Sequence, residues 1–148
     1  MKKLLLIILI MGCDKGSPTG TDNIESYTIA DMVGTWEMLT EETIMTVDGQ
    51  VTMTENIVAD NNNYQTLTVY ENGTFDIVYL TNGLPHDDSG SFIINGNSIT
   101  VVIVGSSVVV TGTFSIVANI TTISTNYSIV DGSSTISVHT TTVYQKAG

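Results

Sequence analysis

Asx-Gly dipeptides recur along this chain at Asp48-Gly49, Asn72-Gly73, Asn82-Gly83, Asn95-Gly96 and Asp131-Gly132, and between them apolar residues alternate with polar ones. Asn, Asp and Gly accept the positive φ of a tight antiparallel turn, and a period of two is that of a strand with one buried face. The alternation is carried by Leu67 and Val69, by Phe75, Ile77 and Tyr79, and by Ile99, Val101 and Ile103. Towards the C-terminus it resumes in Ile123, Tyr127 and Ile129 and in Ile136 and Val138. The chain therefore folds as successive hairpins, with Val, Ile, Thr and Tyr supplying the strand-forming side chains.

In the long run 108–117, Val108, Val110, Phe114 and Ile116 share the face expected to point inward. Gly112 falls on that face, where a missing side chain suits a strand bend or the close approach of a second backbone. Tyr27 to Val33 alone breaks the pattern; Ser26 or Thr28 is placed to cap a short helical turn holding Ile29, Met32 and Val33. About eight to ten strands joined by short connections favour an all-β, antiparallel up-and-down barrel over a Greek-key sandwich.

The N-terminus has a different logic. Lys2 and Lys3 precede an apolar run from Leu4 to Met11, followed by Gly12-Cys13 and an abrupt polar turn in composition. That is the order of a signal peptide, and the run is far shorter than the ~20 residues of a membrane-spanning helix. Ile10-Met11-Gly12-Cys13 resembles the lipobox of bacterial lipoproteins. The resemblance implies removal of residues 1–12 and lipidation of Cys13, the only cysteine. It places the protein in the cell envelope, anchored to a bacterial membrane by its N-terminal lipid with its body outside the cytoplasm. Asp14 leaves inner and outer membrane as alternatives. Residues 13–28, rich in Gly, Ser, Thr and Asp, read as the lipidated cysteine and a flexible tether, and 29–148 as one domain.

Without residues 1–12 two lysines stand against 15 carboxylates, a formal charge of −13, and the chain has no arginine. That balance disfavours nucleic acid and anionic headgroups as partners. With a single cysteine no intramolecular disulfide forms, so stability must come from packing.

Little in the sequence points to catalysis. Two histidines form no recognisable triad with Ser and Asp, and no glycine-rich phosphate loop precedes a helix, so neither enzymatic activity nor a cofactor is expected. His86-Asp87-Asp88 reads as part of a solvated loop over 81–90, and Asp60 to Asn63 as a turn, so no metal ligands are assigned. His139 is expected to face solvent.

Met32-Val33-Gly34-Thr35-Trp36, before the first hairpin, resembles the Gly-x-Trp start of lipocalins and of bacterial lipocalin-like domains. Tyr70 to Phe75, Gly90 to Phe92, Asn95 to Thr100 and the closing Val143-Tyr144-Gln145-Lys146 resemble recurring segments of the bacterial group. The resemblance implies structural roles for Gly34 and Trp36. Lipocalins cover that tryptophan with a late arginine; here Lys146 is the one late cation able to take its place, by a cation–π contact. It also implies a lipocalin-like barrel binding a small apolar ligand, for which Phe75, Tyr79, Phe114 and Tyr127 are candidate lining residues, although aromatics at such positions equally serve as core packing. The alternative is a non-enzymatic envelope structural or protein-interaction domain with a filled barrel and a partner the sequence does not identify. Cavity volume separates the two, a carrier needing about 300 Å³ or more.

Overall fold

The computed structural model describes residues 26–148. The expected signal peptide, Cys13 and all but the last residues of the tether lie outside them. The described chain is all-β: β1(Gly34–Val47), β2(Gln50–Val58), β3(Tyr64–Val69), β4(Thr74–Thr81), β5(Leu84–Asn95), β6(Ser98–Ile103), β7(Val109–Val117), β8(Ile120–Asp131) and β9(Ser134–Lys146), preceded by one helical turn, α1(Ile29–Met32). Every pairing is antiparallel, and β1, β3 and β4 to β9 close an eight-stranded barrel through the β1–β9 ladder.

The simple meander is broken at β1. Its first residues, Gly34 to Glu37, pair with β3, while Thr40 to Val47 pair with β2. β2 is thus an addition to the barrel wall, and among the described residues it pairs with β1 alone. Beyond Asn126, β8 has no further partner in β7. The sheet β2-β1-β9-β8 therefore projects past the barrel rim, by ~15 Å for about five residues of extended chain.

α1 closes the opposite end. Thr28 caps it: the Asp31 carboxylate accepts hydrogen bonds from the Thr28 backbone N–H (2.7 Å) and hydroxyl (2.9 Å). This turn drives Met32, fully buried, under Trp36, whose indole N–H donates to the Met32 carbonyl at 2.7 Å. Phe75 and Phe92 stack above with ring centroids 4.4 Å apart, and Phe114 packs on Tyr27 at 5.0 Å. Leu67, Val69 and Ile99 complete this floor. Tyr27 is part of the fold rather than of a free tether: it bridges to Gly96, and its hydroxyl donates to the Ile116 carbonyl.

Turn chemistry fixes the register. Asp48-Gly49 and Asn82-Gly83 have positive φ at both residues, as two-residue hairpin loops require. The stretch 81–90, expected as a loop, is instead the end of β4, the Asn82-Gly83 turn and the first half of β5. Pro85 is tolerated there because β6 joins β5 only from Gly90 onward, leaving the earlier residues on an open edge where proline breaks no ladder. The β7–β8 hairpin turns at Ala118-Asn119, with Ala118 at φ 56°, and carries no Asx-Gly signal.

Candidate functional site

The aromatic floor fills only the α1 end of the barrel. Above it lies a cavity of about 210 Å³ opening at the rim from which the four-stranded extension rises. Its apolar wall comes from alternate residues of successive strands: Leu67 of β3, Ile77 of β4, Phe92 of β5, Val101 and Ile103 of β6, Val110 of β7 and Ile123 of β8. Each belongs to the inward set that a period of two dictates.

The opposite wall is polar. Glu41, Gln65, Thr125, Thr140, Thr142 and Tyr144 line it, and among the described residues no lysine, arginine or histidine lines the cavity. Glu41 owes its place to a bulge. Trp36 and Met38 face inward, but the β1–β9 register shifts between Met38 and Thr40, so the inward series resumes at Glu41 rather than Thr40. The Thr142 hydroxyl donates to Glu41 Oε2 at 3.2 Å. Burial raises the Glu41 carboxyl above its ordinary pKa, with the Glu55 charge adding to the shift and the Thr142 hydrogen bond opposing it. Tyr144, 4% exposed, donates to Gln65 Oε1, and burial pushes its phenol well above the ordinary range.

The projecting sheet continues the inner surface. By register, Met53, Met45, Val138 and Tyr127 form one cross-strand row, and Val47, Ile136 and Ile129 the next. All lie on the face of Glu41, Thr140 and Thr125. The reverse face carries Thr46, Ser137, Ser128, Asn126 and His139 together with Ile44 and Val130, and His139 Nδ1 is 2.7 Å from Asn126 Oδ1. The face that overhangs the cavity mouth is thus the more apolar of the two, with Glu55 of β2 as a charged residue on it.

The candidate lining residues separate by depth. Tyr127 lines the cavity. Phe75 and Phe114, 1% and 3% exposed, belong to the packed floor. Tyr79 stands at the rim, its ring stacked on His86 and its hydroxyl donating to Asp88 at 3.2 Å. Gly34 and Trp36 lie at the closed end. Gly34 has φ +128°, and a Cβ there would sit 3.0 Å from Lys146 Cε; the lysine ammonium lies 5.2 Å from the centre of the Trp36 ring. Cys13 lies outside the described residues. Asp60 caps its own turn by accepting from the backbone N–H of Asn62 and Asn63. Among the described residues no group of three or more His, Cys, Asp or Glu is placed to hold a metal ion.

No protein-family model matches the sequence, and no curated protein matches it. Among solved structures, a vaccine antigen, a tryptophan-to-alanine mutant of transferrin binding protein B from Haemophilus parasuis Hp5, aligns at TM-score 0.44 and 16% identity. The alignment covers 78% of this chain and 27% of that one, so the chain spans about a quarter of the length of the protein it resembles.

Proposed function

We propose that this protein is a lipid-anchored, lipocalin-like binding module of the bacterial envelope, without enzymatic activity, holding a small apolar molecule in the open end of its barrel. The observation that carries the reading is the cavity itself, walled on one side by aliphatic residues and continued outward by the more apolar face of the β2-β1-β9-β8 extension. Its volume of about 210 Å³ falls short of the about 300 Å³ that an ordinary carrier needs, because Trp36, Phe75 and Phe114 fill the other half of the barrel with Phe92 between them and the cavity, so the reading is confined to a smaller bound group. It nonetheless exceeds the about 150 Å³ of an apolar cavity that accepts benzene. The ligand is therefore small, or it is longer and lies partly along the overhang.

The anchor is proposed from Cys13 and the segment before it; two or more acyl chains would hold the protein stably at a membrane surface. Native mass spectrometry of protein purified gently from its own envelope tests the carrier. A reproducible excess over the denatured mass, lost when Ile123→Phe fills the cavity, is expected. An unloaded wild-type protein that ignores small apolar compounds would move the assignment to an interaction domain. The observation favouring that second reading is the edge of β2: nine residues, all but Ile57 well exposed, with one side unpaired among the described residues and ready for strand addition.

A further inference from the structure

Resting on the carrier reading, we infer that the ligand is an apolar molecule bearing a cationic amine, seated with the amine against Glu41 and its hydrocarbon against the Leu67–Ile77–Val101–Ile123 wall. An apolar pocket fixes orientation through its few polar groups, and here these lie on one wall. Among those that the described residues supply, only Glu41 carries charge. One of its oxygens takes the Thr142 hydroxyl; no other hydrogen bond from the described residues reaches the carboxylate. Gln65 and Tyr144 satisfy one another beside it.

The same wall rejects anions. A fatty acid with its carboxylate buried in this cavity beside Glu41 would meet no cation among the described residues, which costs both desolvation and like-charge repulsion. An alcohol can donate to Glu41 but gains no charge attraction. Specificity would then come from the Leu39 bulge, since an unbroken alternation would have put Thr40 in the wall.

The test compares octylamine, octanol and octanoate against the full chain by isothermal titration at pH 7.5 and 0.15 M salt, where attraction to distant surface carboxylates is largely screened. Octylamine is expected to bind at least tenfold more tightly than octanol, and octanoate not measurably. Glu41→Gln should erase the amine preference while leaving octanol binding in place; Glu42→Gln, on the outer face of the same strand, should leave the preference intact. Equal affinity for octanoate and octylamine, or a preference that survives Glu41→Gln, would overturn the amine assignment while leaving a carrier. Absence of binding by all three compounds would overturn both the amine assignment and the carrier beneath it.

Discussion

Truncating Trp36 tests the closed end of the barrel. The side chain is 1% exposed, rests on Met32, donates its indole N–H to the Met32 carbonyl and lies beneath the Lys146 ammonium. Trp36→Ala removes the largest side chain of the floor where α1 and the barrel strands cannot collapse inward, and such truncations cost about 3–5 kcal/mol. For a domain of this size one kcal/mol moves the midpoint by about 4 °C, so the drop should be about 12–20 °C. Trp36→Phe keeps most of the ring but strands the Met32 carbonyl, a loss of about 1–3 kcal/mol. Lys146→Ala removes only an exposed cation–π contact of about 0.5–1 kcal/mol. Thermal unfolding followed by circular dichroism at one pH should rank the variants in that order. A Trp36→Ala midpoint within about 4 °C of the wild type, or a Lys146→Ala loss as large, would refute Trp36 as the plug.

Other predictions follow from single contacts. A Cβ on Gly112 would lie 1.9 Å from the Ser124 carbonyl oxygen, so Gly112→Ala should force β7 from β8 and lower stability by about 1–3 kcal/mol or more, measured by urea unfolding. The Glu41 carboxyl is raised from its ordinary 4.5, so ionising it opposes folding: its stabilising, protonated state is full below that pH and lost as pH rises through the raised value. Glu41→Gln should therefore increase the unfolding midpoint at neutral pH, and the gain should vanish at acid pH; a gain independent of pH would contradict the burial argument. Cys13→Ser should abolish incorporation of labelled palmitate and release the protein from membranes, and labelling that persists would reject Cys13 as the anchor.

The fold was legible where chemistry repeats at short range. Asx-Gly turns marked most hairpins, alternation identified Leu67, Phe75, Ile99 and Phe114 as inward, and Gly112, read as either a strand bend or a close approach, is the close approach of two strands. Of the two candidate caps, Ser26 and Thr28, the second starts α1. What escaped was the product of long-range pairing. β1 divides its edge between β2 and β3, and no local pattern encodes that exchange. Pro85 and the acidic residues after His86 read as loop because strand chemistry penalises them, yet an open edge lifts the penalty.

The cavity shows the same division. Tyr127 was identified by its period, but Phe75 and Phe114 share that period and sit deeper, since alternation reports the face of a residue and not its depth. Glu41 was missed because the bulge at Leu39 inverts the alternation just before it. The only local sign is that Trp36 and Met38 are apolar at one parity and the acidic residues then run through both parities.

Methyl-resolved NMR during titration with toluene tests the carrier most directly, because toluene needs no headgroup partner and is small enough for a cavity of about 210 Å³. Saturable shifts of Ile77, Ile103, Val110 and Ile123, with Val117 and Val130 on the outer surface unmoved, are the expected result. Shifts that never saturate, or that appear equally on the outer surface, would mean that the barrel interior takes no ligand.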